Sequence, residues 1–207
     1  MNAIKLYHFP LSGHSHRAQL MLSLLGLVPD VHIVDLASGA QKSAEFLALN
    51  AFGQVPVIDD NGTVVADSTA ILVYLAKTRD PSGKWLPDDA QTAAQVQRWL
   101  SVASGPINNG PCRARLITVF GADFDPTDTL QRAHAVLQVI DKHLAGRQFL
   151  AAAHATIADI AAYTYIAHAP EGNVSLDGYP NVRAWLLRIE GLHGFVPMPV
   201  TKAGLVA

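Results

Sequence analysis

Cysteine is nearly absent: Cys112 is the only one in 207 residues. An internal disulfide is therefore excluded, and a reducing cytosol is the expected setting. Charge is scarce too, at 15% of residues, and balanced, with 15 basic against 17 acidic side chains. A net charge of −2 gives no electrostatic reason to bind nucleic acid or an anionic membrane surface. No long apolar run is present. The stretch over 20–28 is broken by Ser23 and Gly26 and falls short of the roughly 20 residues that span a bilayer. Residues 1–10 carry one lysine and no apolar signal-peptide core, so a cytoplasmic protein is expected. Hydrophobic residues make up 50% of the chain, which favours a packed core over disorder.

The first part of the chain alternates between strand and helix patterns. Residues 4–9 read as a buried strand and 10–14 as a loop. Residues 15–25 read as a helix, with Leu20, Met21, Leu24 and Leu25 at helical spacing and Gly26 as its stop. A short strand over 31–34 and a short helix over 43–49 follow. Residues 55–59 and 63–66 flank Asn61-Gly62, a pair that favours positive φ and a tight hairpin. Residues 67–77 then read as an amphipathic helix. The order βαβ(α)ββα is that of a thioredoxin-like α+β domain. The segment 79–88, with Pro81, Gly83 and Pro87, is the linker candidate. Beyond it only helical patterns occur, over 92–104, 107–120, 127–144, 157–168 and 182–189, with Gly or Pro at each break. The expected organisation is a thioredoxin-like domain over 1–78, a linker over 79–88 and an all-α domain over 89–207.

The most informative stretch is Asn50-Ala51-Phe52-Gly53-Gln54-Val55-Pro56-Val57-Ile58, followed by Ala66-Asp67-Ser68-Thr69-Ala70-Ile71. Read by itself, Val55-Pro56 is a proline at a strand start, and Asp67-Ser68 is a helix cap. Together they resemble the glutathione-binding signature of the cytosolic glutathione transferases. The resemblance implies a cis Val55-Pro56 bond, with the Val55 N–H and C=O pairing with the cysteinyl backbone of glutathione. It implies Ser68 and the helix N-terminus holding the γ-glutamyl carboxylate, with Asp67 facing the α-amino group. Gln54 completes the central element, and Gln41 and Lys42 fall in the loop where the family meets the glycyl carboxylate.

Glutathione brings its own nucleophile, so the protein needs a donor that stabilises a thiolate. Leu11-Ser12-Gly13-His14-Ser15-His16-Arg17 lies between the first strand and first helix, where such a donor belongs. This loop resembles the serine-type classes (theta, zeta and phi, with bacterial relatives). Counting back from Arg17, Ser12 matches the catalytic serine, with His14 and Ser15 as competitors. The tyrosine classes carry their tyrosine where this chain has His8, and Tyr7 is expected on the opposite face of the strand. The cysteine-type chemistry is disfavoured because Cys112 lies in the helical half, where it reads as a small buried hydrophobe. His14-x-His16 lacks further ligands at metal spacing, so no metal is expected.

In the second half, Thr156-Ile157-Ala158-Asp159 fits a helix-capping motif and resembles the capping element of the family's helical domain. The resemblance implies an acceptor site between the two domains. Its candidates are Asn108, Arg113 and Arg115, with Asn109, Ile117 and Phe120 beside them and Tyr163, Tyr165 and His168 behind. Arg113 and Arg115 are about 200° apart on a helix, so at most one faces a cleft. The tail over 195–199 is apolar enough to cover that cleft or pack on the helices. The implied activity is a glutathione S-transferase acting on a small, mostly apolar electrophile, with glutathione as co-substrate and a homodimeric assembly serving detoxification. Two rivals stand beside it. One is a zeta-like glutathione-dependent isomerase, although the loop lacks the Ser-Ser-Cys pattern of that class. The other is a transferase-like scaffold without turnover.

Overall fold

A computed structural model describes residues 3–207. The chain divides into two compact units: residues up to Gly83 together with His193–Pro199, and Lys84–Leu192 together with Val200–Ala207.

The first unit is built on a four-stranded sheet of order β2-β1-β3-β4, with β1 at Lys5–His8, β2 at Asp30–Ile33, β3 at Val57–Asp60 and β4 at Thr63–Ala66. β1 runs parallel to β2 and antiparallel to β3, and β3 and β4 form the hairpin. Asn61 (φ 52°) and Gly62 (φ 95°) make its two-residue turn, the conformation that Asn-Gly favours. β3 begins two residues later than the expected strand. Pro56 has no N–H for the ladder, so Val55 stays outside it. β2 starts at Asp30 rather than 31 and is an edge strand with all four residues exposed.

Helices α1 (Gly13–Leu24) and α3 (Ser68–Arg79) pack against each other, and Leu6, Leu20, Met21, Ile58, Ile71, Leu72 and Leu75 are fully buried in this unit. Full burial of one such side chain is worth about 1.5–3 kcal/mol, so these residues dominate the unit's stability. The short α2 (Ala44–Leu49) starts at the Ser43 cap. α3 runs two residues past its expected end and into the expected linker. Asp60 fixes that last turn, pairing with Arg79 and accepting from the Tyr74 hydroxyl at 2.9 Å.

The tail departs from expectation. Residues 193–199, placed by the sequence with the all-α half, join the first unit as a strap along α1. His16 Nε2 donates to the Val196 carbonyl at 2.8 Å, and Ser23 Oγ donates to the Gly194 carbonyl at 2.6 Å.

The second unit is helical: α4 (Ala90–Ser104), α5 (Arg113–Phe120), α6 (Pro126–Leu144), α7 (Ile157–Ala167) and α8 (Pro180–Glu190). Asp89 and Asp125 cap α4 and α6 through the amides of Thr92 and Thr127, each at 2.8 Å. The expected single helix over 107–120 is interrupted by a π-helical turn, Asn108–Cys112, because Pro111 cannot supply an amide hydrogen bond inside a helix. That turn lies against α6. A Cβ on Gly110 would meet the Ala133 Cα at 2.7 Å and its N at 2.8 Å. Gly→Ala in a helix is ordinarily stabilising by up to about 1 kcal/mol. Here the backbone contact dominates, and Gly110→Ala should instead destabilise by about 1–3 kcal/mol. A denaturant midpoint at or above wild type would contradict this. Among the described residues no helix is long and apolar enough to cross a membrane.

Candidate functional site

The β1–α1 loop presents three polar side chains in different roles. Ser12 is the N-cap of α1 (φ −87°, ψ 116°), and its Oγ accepts the Ser15 amide at 3.2 Å. The side chain is half-buried, and its own hydroxyl proton has no acceptor among the described residues. Ser15, the competitor one turn later, is 0% exposed, and its Oγ accepts the Phe9 amide at 3.3 Å. Ser15, one of the two competitors for the thiol, is thus buried with its oxygen engaged by the main chain. His14 is half-buried, with Nδ1 2.9 Å from Arg17 Nη1 and 3.2 Å from Ser68 Oγ. Tyr7 stacks on His32 at 5.2 Å and meets Phe46 edge-on at 6.2 Å. His8 is buried among the core residues, and that burial pushes its pKa down.

The second wall comes from the segment before β3 and the start of α3. The Val55-Pro56 bond is cis. The Val55 side chain packs on Val34, Phe46 and Val57, while its N–H and C=O have no partner among the described residues. A half-buried main chain normally finds partners, so this edge has the donor and acceptor to pair with an extended chain. Asn50 shapes the loop leading to it. Its Nδ2 donates to the Gln54 carbonyl at 2.8 Å, and its Oδ1 accepts the Phe52 amide at 3.1 Å. Gly53 (φ 60°) sits where a Cβ would come 2.8 Å from the Gln41 carbonyl and 2.9 Å from Lys42 Nζ, so only glycine fits. This contact brings the 3-10 turn Ala40–Lys42 beside Gln54-Val55. Gln54 and Lys42 are exposed, and Gln41 Oε1 is buried without a partner.

Asp67 caps α3 from a left-handed backbone (φ 73°), its Oδ1 accepting from the Thr69 amide at 2.7 Å, the Thr69 hydroxyl at 2.5 Å and the Ala70 amide at 3.2 Å. Burial would raise the Asp67 pKa. The hydrogen bonds from Thr69 and Ala70, helped by His14, outweigh it and hold the carboxyl below its ordinary value. Ser68 is 3% exposed, and its Oγ also accepts from Arg17 Nη1 at 3.2 Å. The N-termini of α1 and α3 thus present their amide ends in one unit, where they favour negative charge.

The sequence reading missed Arg17 and Asn50. Arg17 is 0% exposed and holds two site residues at once. Its spacing of three from His14 on one helix was the available signal.

The electrophile candidates lie in the second unit. Asn108 is in the π-helical turn, and the half-buried Arg113 lies over the Phe124 ring at 4.7 Å. Arg115 is 1% exposed, with Nε 2.7 Å from Glu171 Oε2 in a buried ion pair. His168 Nδ1 lies 2.5 Å from Glu171 Oε1, and the Tyr163 hydroxyl donates to Glu190 at 3.0 Å, so both belong to the packing of this unit. Cys112 is buried. Among the described residues no cluster of three His, Cys, Asp or Glu side chains is placed to hold a metal ion.

Comparisons with known proteins bear on the family and the fold. The family described as glutathione S-transferase, N-terminal domain, matches residues 11–78, and that described as glutathione S-transferase, C-terminal domain, matches residues 125–192. Glutathione S-transferase 3 of Zea mays is 32% identical, covering 96% of this chain and 97% of its own. The crystal structure of a "possible" glutathione transferase from Rhodopseudomonas palustris superposes with a TM-score of 0.87 at 32% identity, over 97% of this chain and 100% of that one. A glutathione transferase homologue from Drosophila mojavensis, with bound glutathione, superposes with a TM-score of 0.85 at 27% identity, over 93% of this chain and 89% of that one. The chain belongs to the glutathione S-transferase family.

Proposed function

We propose that this glutathione transferase is of the serine type and that Ser12 makes the bound thiol reactive. The observation that carries the proposal is the Ser12 hydroxyl at the start of α1, whose oxygen is occupied by the Ser15 amide while its proton is left to donate. Accepting one hydrogen bond strengthens the donation of another, and the helix N-terminus adds favourable potential. Glutathione lies extended in the first unit. Val55 pairs with its cysteinyl backbone, Ser68 and Asp67 hold the γ-glutamyl end, and Gln41, Lys42 and Gln54 hold the glycyl end. The thiol loses its proton to water, and the Ser12 hydroxyl donates to the resulting thiolate. The sulfur then forms a C–S bond to a small apolar electrophile. In displacement, the leaving group departs with its bonding pair; in addition, the pair moves onto the acceptor, which takes a proton from water. Binding both reactants removes much of the entropic barrier. A cytoplasmic homodimer acting in detoxification is the setting proposed, and the lone buried Cys112 suits a reducing compartment.

The γ-glutamyl assignment is tested at Asp67. Asp67→Asn keeps a cap acceptor and tolerates positive φ but removes the charge facing the α-amino group. The expected result by calorimetry is glutathione affinity lowered about tenfold, equivalent to about 1.4 kcal/mol, with the melting temperature little changed. An unchanged dissociation constant would remove Asp67 from the site.

A further inference from the structure

The helical unit carries a cavity of about 460 Å³ between α4 and α6. That lies within the size range of small-molecule sites, roughly 300–1,000 Å³. Its origin is legible in the residues around it. Gly110 seats the π-helical turn directly on the α6 backbone at Ala133, and Gly105 and Ala135 are too small to fill the space left between the helices. Val102, Pro106, Val136, Val139 and Ile140 form apolar walls, and the buried Trp99 ring lies among them. Val139 is 60% exposed, so the apolar stripe of α6 runs out of the core and onto the surface.

The charged groups of the lining are Arg98 and Arg132, and no acidic side chain joins them. The Arg98 guanidinium lies over the Trp99 ring at 5.5 Å and meets the Gln95 side chain at 3.4 Å. It has no carboxylate partner among the described residues. Arg132 Nε pairs with Asp128 Oδ2 at 2.6 Å. Two guanidiniums thus share one carboxylate, and the groove keeps a surplus positive charge on a chain whose net charge is −2. Asn109, from the π-helical turn, adds a side-chain amide to the same lining.

We infer that this groove is a second ligand site, which takes an amphipathic organic anion: a flat apolar body with one acidic head group. Burial of the body against Val102, Val136 and Val139 supplies affinity. Arg98 gives the head a charge-assisted hydrogen bond, and the Asn109 amide can donate another. No hydroxyl, thiol, imidazole or carboxyl group lines the groove, so the molecule is held there without being converted. The inference is independent of the serine-type reading, since none of these residues belongs to the first unit.

The test uses 8-anilinonaphthalene-1-sulfonate with the full chain, followed by dye fluorescence and tryptophan quenching. The expected result is saturable binding at one site per chain, unchanged by saturating glutathione and by Ser12→Ala. Arg98→Gln should weaken it about fivefold, the size of a solvent-exposed ion pair. Added salt should bring the wild type towards that variant. N-phenyl-1-naphthylamine, the same rings without the sulfonate, should bind more weakly and be indifferent to Arg98→Gln. Ala135→Phe fills the groove from an exposed position on α6 and should abolish the site with the melting temperature little changed. Wild-type dye affinity in Ala135→Phe, or displacement of the dye by glutathione, would place the dye elsewhere and overturn the inference. So would a smaller assembly of Ala135→Phe in sedimentation, which would make the groove a contact between copies of the chain.

Discussion

Ser12→Ala should lower kcat about 10²-fold, the typical loss when one preorganised donor to a developing anion is removed. The physical claim is that the hydroxyl proton, rather than the serine's place in the loop, stabilises the thiolate. A free thiol has a pKa near about 8.5 and is mostly protonated at neutral pH. A donor that favours the charged form lowers that value, so the wild-type complex holds more thiolate at neutral pH. Removing the donor raises the value, and the rising limb of the activity–pH profile moves to higher pH. The same substitution also removes the cap on the Ser15 amide, at a cost of about 1 kcal/mol in stability. Ser12→Asp separates the two effects. An ionised carboxylate caps the helix at least as well as serine but has no proton to give and repels a thiolate. It should restore the stability lost in Ser12→Ala while remaining as inactive or more so. Ultraviolet titration of the bound thiolate reads the effect directly, and a Ser12→Asp variant with near-wild-type turnover would sink the assignment.

The largest expected loss of stability is at Asp159. This carboxylate is fully buried at the first turn of α7. It accepts from the Thr156 amide at 2.9 Å, the Thr156 hydroxyl at 3.2 Å, the Leu150 amide at 2.9 Å and the Trp185 indole at 3.0 Å. One side chain thus caps α7, anchors the preceding loop and ties down α8. Asp159→Ala leaves these buried donors without an acceptor, and each unsatisfied group costs about 1–3 kcal/mol. Partial relaxation of the hydroxyl and the loop reduces the sum, so a loss of about 3–5 kcal/mol is expected, a large part of a typical domain's stability of about 5–15 kcal/mol. The check is a chemical denaturation series, in which the midpoint falls while the slope is preserved. A loss below about 1 kcal/mol would mean the donors find water or new partners.

Local chemistry made much of this molecule legible in the sequence. Asn61-Gly62 marked the hairpin, and Thr156 with Asp159 marked the start of α7, because each signal is held within four residues. The stretch from Val55-Pro56 to Asp67-Ser68 was legible for a similar reason, since its features are a cis bond and a helix cap. What escaped depends on partners distant in the chain. Arg115 read as a candidate for the acceptor site because nothing near it announces Glu171, 56 residues away. The strap over 193–199 joins the first unit through His16 and Ser23, at separations of 180 and 171 residues. The π-helical turn escaped because helical periodicity continues on both sides of Pro111. Ser15 and Ser12 are chemically alike, and only the fold shows that one is sealed inward on the Phe9 amide while the other caps the helix from a half-buried position.

The most direct test of the central claim is a crystal structure of the full chain with glutathione. The account predicts the sulfur within about 3.5 Å of Ser12 Oγ, the cysteinyl backbone paired with the Val55 N–H and C=O, and the γ-glutamyl carboxylate on Ser68. A sulfur held by His14 with Ser12 out of reach, or a tripeptide that leaves the Val55 main chain unpaired, would contradict it.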